Sequence, residues 1–550
     1  MTDLSTHRPA RRLWRPDGWA VLALALAALV ILPIATVVWI ALNPVENIWP
    51  HMMATTLPRY LTNSAVLMAG VGILAGIIGT GTAWLVVMTR FPGRAVLEWA
   101  LLLPFALPAY IAAFAVVDFF EYAGPLQTAL RGVFEWETRR DYTFPEVRSR
   151  GFAIVVLAFA LYPYVYFLAR SVFRSQSAAA LEVARALGET GWGAFWRVGL
   201  PLARPAVVAG VAIVMMETLN EFGAMEFFGV QTLTTGIFTV WLEASNAGGA
   251  AQLACVILVF VLVLVALEKV SRRNIRFHET ARQVRPPQPE ELHGWRAALA
   301  AGACSVPVLV GFVAPLLILS DLGISRMGAW ASADLWMAAG RSVFMAAAAA
   351  LITVSAAVLL VYGARMWSQP MVRGLIPVTT IGYAAPGAVL GLGVLVPLAW
   401  ADHRFADTVL YLTGYDPGLL LVGSAGAVIF AYSVRFFAIA VGTVDAAFGK
   451  VSPNLGPAAR SLGHSTRGVL RRVHLPLIRG SIGTAALLIF VDCVKELPAT
   501  LLLFSEKTLA TEVYNRASAE DFAGAAPPAL FVVLVSLIAF GVMAVNTRSG

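Results

Sequence analysis

Charge is scarce in this 550-residue chain: Asp, Glu, Lys and Arg supply 13% of it, where a soluble domain carries about a quarter. With 59% hydrophobic residues and a mean hydropathy of +0.76, that shortage excludes a water-soluble globular fold. The apolar surface has to face lipid, or face itself within lipid. Cysteine is scarce too. Cys255, Cys304 and Cys493 all sit in apolar runs without metal-ligand spacing, which excludes a disulfide framework and a thiolate metal site. None of the seven histidines falls in a strongly apolar run, so a membrane-embedded histidine metal centre is not expected. No Gly-x-x-x-x-Gly-Lys-Ser/Thr phosphate loop occurs, and no paired catalytic constellation stands out. The chain is therefore expected to be non-catalytic and to bind no cofactor itself. The net charge of +8 is read as a consequence of membrane orientation, not of nucleic-acid binding.

Long apolar runs are abundant. Windows of about 20 residues, enough to cross a bilayer, fall near 19–42, 63–88, 95–118, 151–173, 203–228 and 251–269. A second set falls near 297–319, 342–364, 374–400, 419–441, 479–503 and 528–546. The first run follows a basic stretch (Arg8, Arg11, Arg12, Arg15) and has no small-residue cleavage site behind it, so it reads as a retained span. Lysine and arginine concentrate on one side when both termini are placed in the cytoplasm. The connection 119–150 resists that bias with five arginines, which neighbouring acids offset. The expected fold is an all-α membrane protein of about twelve transmembrane helices in two parallel six-helix repeats. Its expected parts are a cytoplasmic tail (1–18), a first six-span half (19–269), a cytoplasmic linker (270–296) and a second half (297–550).

Between the fourth and fifth windows of each half lies a polar segment, and the two segments are copies. RALGETGWGAFWRVGLPL (Arg185–Leu202) returns as RSLGHSTRGVLRRVHLPL (Arg460–Leu477) at a constant offset of 275. Apolar residues at helical spacing predict two short helices in each copy, with Gly188 and Gly463 making the turn, since glycine reaches positive φ without steric cost. Leu-Pro-Leu is then expected to start the next span. Two such amphipathic segments on one membrane face imply docking surfaces for two copies of a cytoplasmic partner.

These residues resemble the permease subunit of a binding-protein-dependent ABC importer, whose loop reads Glu-Ala-Ala, three residues, Gly, nine residues, Ile-x-Leu-Pro. The first copy offers Glu182, Ala184, Leu187, Gly188, Val198, Leu200 and Pro201. The second offers Ala458, Ala459, Leu462, Gly463, Val473, Leu475 and Pro476, with Pro457 where the family has glutamate. The resemblance implies a fused, two-half permease of the type I importer kind whose loops couple to two copies of a cytoplasmic ABC ATPase. ATP and magnesium would sit on those partner subunits. It also implies a periplasmic solute-binding protein and the bacterial inner membrane as location. Pro457 predicts that the two loops dock unequally.

Acidic residues inside spans are costly and ask for a functional reading. Glu217 and Glu221 map onto Asp492 and Glu496 at the same offset of 275. Spacing of i, i+4 predicts that each pair shares a helix face. Four carboxylates converging across the pseudo-twofold axis would make transient contact with a highly charged cation, with no stable metal site. The alternative is that local partners, Lys495 first, consume them, or that they snorkel to the external interface. Lys495-Glu496-Leu497-Pro498-Ala499-Thr500, Asn220-Glu221-Phe222-Gly223-Ala224 and Thr508–Tyr514 resemble the ferric-iron importer permeases. Relatives for thiamine, phosphonate, polyamine or sulfate share the loop. An ion-driven secondary transporter would explain the acids but not the duplicated segment. The proline-rich stretches 101–110 and 375–387 have a plain reading, since proline is common in membrane helices; the alternative is broken helices lining a path.

Overall fold

The computed structural model describes residues 18–176, 182–184, 186–273, 289–366, 385–452 and 454–548. Among them, eleven helices are long and apolar enough to cross a membrane, and each overlaps an expected window. The remaining window, 374–400, begins outside the described residues, and its visible part opens the helix Gly387–Thr413. The chain is an all-α membrane protein.

The helices assemble as two repeats with the same internal packing. Leu57–Met88 lies against Arg150–Ser175 and Leu200–Asn220; in the second repeat Ala333–Met366 lies against Ala425–Gly449 and Leu475–Val494. Glycine sets these distances. A Cβ on Gly79 would meet Val165 Cβ at 2.7 Å, and one on Gly210 would meet Val165 Cα at 2.8 Å. Close backbone approach of this kind is how helices associate where lipid removes the hydrophobic driving force. The first helix of each repeat leans on the other repeat. Gly18–Leu42 packs on Gly387–Thr413, where Gly393 faces the Pro33 carbonyl, and Gly294–Val308 touches Leu57–Met88.

The duplication extends to backbone detail. Gly188 and Gly463 both have φ +87°. Thr190 and Ser465 each cap the following helix, accepting from Gly193 N and Gly468 N at 3.2 Å. Thr232 and Thr508 each open a short helix with a capping box closed by Thr235 and Thr511. The next amide in each, Leu233 N and Leu509 N, donates to Ser64 Oγ at 3.1 Å and to Ser342 Oγ at 2.9 Å.

One expectation fails in the same way twice. Leu-Pro-Leu does not start a span. Helix begins at Gly191 and Thr466 and runs on through Pro201 and Pro476. A π turn precedes each proline, at Phe195–Gly199 and Leu470–His474. Widening the turn there absorbs the missing amide donor and the ring.

Most of the expected linker lies outside the described residues. Its end is tied down: Glu290–Glu291 pair in parallel with Thr89–Arg90, Leu292 N donates to Arg90 O at 3.0 Å, and Arg90 lies 3.5 Å from Glu291. The connection after the third span is folded. Arg148 Nε donates to Glu121 Oε1 at 2.5 Å, and Phe134, Trp136 and Tyr142 stack with centroids 4.7 Å apart. The basic residues there are in part neutralised locally, which is how this connection departs from the orientation bias.

Candidate functional site

Two places in the fold collect the residues singled out by sequence. The first is the pair of duplicated polar segments. Residues 182–184 are helical, as is Leu455–Ser461. Ala184 and Ala459 turn inward, 6% and 7% exposed, while Glu182, Pro457 and Ala458 face solvent. At the end of each short helix the glycine turn lifts a leucine clear of the protein: Leu187 is 80% exposed and Leu462 81%. Val198, Val473, Leu200 and Leu475 are half-buried along the continuing helix, and Pro201 and Pro476 are exposed. Each repeat therefore presents one apolar knob on a turn of fixed geometry. The copies differ in charge. Glu182 and Glu189 of the first correspond to Pro457 and His464 of the second, and Arg467 and Arg471 of the second stand where the first has Trp192 and Trp196.

The second place is a cavity of about 120 Å³ between the repeats, lined by Glu217, Glu221, Asp492 and Glu496 together. Sequence predicted this convergence. It did not predict the backbone. The helices Leu200–Asn220 and Leu475–Val494 stop short of Glu221 and Glu496, so neither pair shares a helix face. Glu221 instead takes extended ψ at the break and accepts from Ala224 N at 3.1 Å. Glu496 accepts from Ala499 N at 3.1 Å and Thr500 N at 3.3 Å. Each caps the short helix after the break, Gly223–Phe227 or Pro498–Leu503. A carboxylate at a helix N-terminus satisfies donors that would otherwise be orphaned in lipid.

The cavity holds two cations. Lys495 Nζ lies 2.8 Å from Asp492 Oδ1, so the local partner foreseen for it is real. Arg435, from the helix Ala425–Gly449, is paired with Glu496, whose side chain is 2% exposed. Sequence reasoning missed Arg435. The only signal was a lone basic residue within an apolar window. Gly387 makes room for this pair, since a Cβ there would collide with both the Glu496 carboxylate and the Arg435 guanidinium. Tyr110 and Asn220 complete the polar lining. Both are over nine-tenths buried, and neither Tyr110 Oη nor Asn220 Oδ1 has a hydrogen-bond partner among the described residues.

The first proline-rich stretch does break its helix, which favours the alternative reading of it. A 3₁₀ turn, Leu103–Ala106, precedes the helix Ala109–Phe120, and Pro104, Leu107, Pro108 and Tyr110 line the cavity. Most of the second stretch lies outside the described residues, its visible end being Pro386 and Gly387 ahead of Gly387–Thr413. No group of His, Cys, Asp and Glu able to hold a metal stably occurs among the described residues.

The family model for the binding-protein-dependent transport system inner membrane component matches the chain twice, at residues 69–277 and 360–549. The Fe(3+)-transport system permease protein FbpB 2 of Haemophilus influenzae is 26% identical over 95% of this chain and 97% of its own length. The sulfate transport system permease protein CysT of Escherichia coli is 32% identical over 35% of this chain and 68% of its own length. The molybdenum transport system permease protein ModB of Escherichia coli is 27% identical over 35% of this chain and 85% of its own length.

Proposed function

On the premise that the chain belongs to the family of binding-protein-dependent transport system inner membrane components, we propose that it is the fused permease of an ATP-driven importer whose cargo is ferric iron. The relatives divide over cargo, and the observation that carries the choice is the charge of the cavity. Four carboxylates face one guanidinium and one ammonium, a formal balance of −2. A sulfate dianion entering such a site meets net repulsion in a medium where charge is poorly screened. A highly charged cation meets hard oxygen donors. A cavity of about 120 Å³ has room for an ion with bound waters.

ATP hydrolysis belongs to two copies of a cytoplasmic ATPase in this reading, each seated on one glycine turn through Leu187 or Leu462. A periplasmic solute-binding protein delivers the cargo from outside, and both termini are cytoplasmic. The carboxylates and their partners lie on the route, and alternation between inward and outward access follows ATP binding as a shift between two populated states.

The test is uptake into proteoliposomes holding this chain, its ATPase and its binding protein, with labelled ferric iron and labelled sulfate compared. ATP-dependent accumulation of iron without sulfate supports the reading. Sulfate accumulation without iron keeps the importer and discards the cargo. Uptake collapsed by an uncoupler in the absence of the ATPase would replace the importer with an ion-driven carrier.

A further inference from the structure

A second opening, of about 1170 Å³, lies away from the carboxylates at a seam between the repeats. Leu57–Met88 and the helix that runs from Gly191 into Leu200–Asn220 wall it on the first repeat's side, and Gly294–Val308 walls it on the second's. The walls are apolar, with Ile73, Ile77, Val207, Val211 and Leu299 among them. Gly81 leaves part of the wall bare, since a Cβ there would meet no atom within 4 Å. Ile73, Ile77 and Leu299 are exposed, so the groove opens sideways onto hydrocarbon. At 1.5 Å per residue its walls rise about 24 Å from Met88 to Gly72 and about 10 Å from Arg296 to Ala303. One leaflet contributes about 15 Å of hydrocarbon, so the groove has the depth of a lipid chain.

The end beside the Gly188 turn has a different character. Thr190, Trp192, Trp196, Glu290, Trp295 and Arg296 gather there. Tryptophan marks the level at which hydrocarbon gives way to headgroups. Two charged pairs flank this mouth in the chain and are already matched, Glu189 with Arg197 and Glu291 with Arg90 at 3.5 Å. Glu290 and Arg296 are not. Both are exposed, and neither makes an ion pair or a side-chain hydrogen bond among the described residues. Strand pairing with Thr89 holds Glu290 in place, with Oε2 at 3.3 Å from where a Cβ on Gly191 would stand. The Arg296 guanidinium lies 5.7 Å from the centre of the Trp295 ring. The mouth thus offers one anion and one cation that do not neutralise each other. A guanidinium suits a phosphate, and a carboxylate suits a primary ammonium.

We propose that this groove seats one molecule of phosphatidylethanolamine from the leaflet on the side of the glycine turns. Its phosphate meets Arg296, its ammonium meets Glu290, and an acyl chain lies along Leu57–Met88. A purely anionic headgroup would satisfy Arg296 and be repelled by Glu290, whereas this zwitterion satisfies both. Basic pockets between membrane helices are a known way of holding lipid headgroups. The seated lipid fills the seam between Leu57–Met88 and the first helix of the second repeat, and it lies against the segment that carries the Gly188 turn. The second repeat does not copy the seat. Arg467 and Arg471 replace Trp192 and Trp196, and Tyr362 Oη donates to Thr466 O at 2.7 Å.

The experiment uses the complete chain in detergent with phosphatidylethanolamine or phosphatidylglycerol, each carrying a photoreactive acyl chain. Lipid retained by the intact chain and the peptides that carry adducts are read by mass spectrometry. Adducts are expected to concentrate within 72–89, 190–211 and 290–303, with phosphatidylethanolamine retained in preference to phosphatidylglycerol. Gly81→Leu puts a side chain into the groove and should lower those adducts about tenfold. Gly483→Leu, equally open around its Cβ but away from the groove, should keep the parental level. Glu290→Gln changes an exposed residue and should cut the preference between the two lipids about threefold, as expected for one exposed ion pair. Arg296→Gln should weaken retention of both lipids. Adducts spread evenly over the spans, parental labelling in Gly81→Leu, equal retention of the two lipids by the parent, or a preference untouched by Glu290→Gln overturns the seat.

Discussion

Replacing Arg435 with methionine isolates the lock between Ala425–Gly449 and the helix break at Glu496. The guanidinium is 14% exposed and the Glu496 side chain 2%. Removing one member of such a buried pair generally costs about 3–5 kcal/mol, because a charge is left without a partner. Here the carboxylate keeps bonds from Ala499 N, Thr500 N and Thr500 Oγ1, which places the cost near the lower end, about 3 kcal/mol. Removing both charges with Arg435→Met and Glu496→Gln leaves an amide that still caps Pro498–Leu503. That double variant should sit within about 1.5 kcal/mol of the parent, since well-packed neutral replacements of buried pairs are often near neutral. The double variant is then about 1.5–3 kcal/mol more stable than the single. Domains of some 150–250 residues shift by about 2–4 °C per kcal/mol, so thermal unfolding in detergent should separate the single from the double variant by several degrees. If the single variant melts no lower than the double, Glu496 is held by its capping bonds alone and the pair does not lock the repeat.

Further outcomes follow from the same geometry. Gly387→Ala puts a methyl into the Arg435–Glu496 pair and should lower the unfolding midpoint in the direction of Arg435→Met, whereas Gly480→Ala, with open space around its Cβ, should not. Gly188→Val and Gly463→Val force a β-branched residue to φ +87°, at about 1–2 kcal/mol each, and should weaken co-purification with the ATPase while the helices persist by circular dichroism. Leu187→Arg and Leu462→Arg change solvent-exposed knobs, so they should cut ATPase association without moving the midpoint; unchanged association in both would remove these turns from the docking surface. In the connection after the third span, Thr138 N and Glu137 N donate to Asp141 and hold its carboxyl below the ordinary range. A depressed folded value means that the turn's stability is present above the ordinary carboxylate range and is lost as pH falls through the depressed one. Exchange at the Glu137 and Thr138 amides should accelerate on acidification, and Asp141→Asn should remove that dependence.

What the sequence made legible is whatever the backbone demands of a particular residue type. Gly188 and Gly463 were readable as turns because positive φ selects glycine, and the spans were readable because lipid tolerates few charges. The four carboxylates were readable because a repeat offset pairs them before any coordinates exist. The helix breaks escaped because glutamate and lysine do not mark a break; Gly223 and Pro498, just beyond, were the available signs. The π turns escaped because a Leu-Pro-Leu that follows a polar segment reads as a helix start. Arg435 escaped for another reason. Its partner lies 61 residues away, and only packing brings Ala425–Gly449 beside the break, although mapping it back to Ala160 would have exposed the asymmetry.

That asymmetry gives the fusion of two repeats a physical meaning. The devices that shape the backbone are retained in both copies: the glycine turns, the hydroxyl caps, the π turns and the capping carboxylates at Glu221 and Glu496. Residues lining the cavity have diverged, and so have some buried ones. Gly199 lies under the Trp84 ring, while its counterpart His474 meets Tyr362 and Phe448 edge-on at 5.6 and 5.5 Å. A symmetric dimer must use the same surface twice. Two copies of the first repeat would surround the cavity with four carboxylates and no cation, and two copies of the second would balance four carboxylates with four cations. Unlike halves reach a formal balance of −2 around the cavity, which two identical halves of either kind would not.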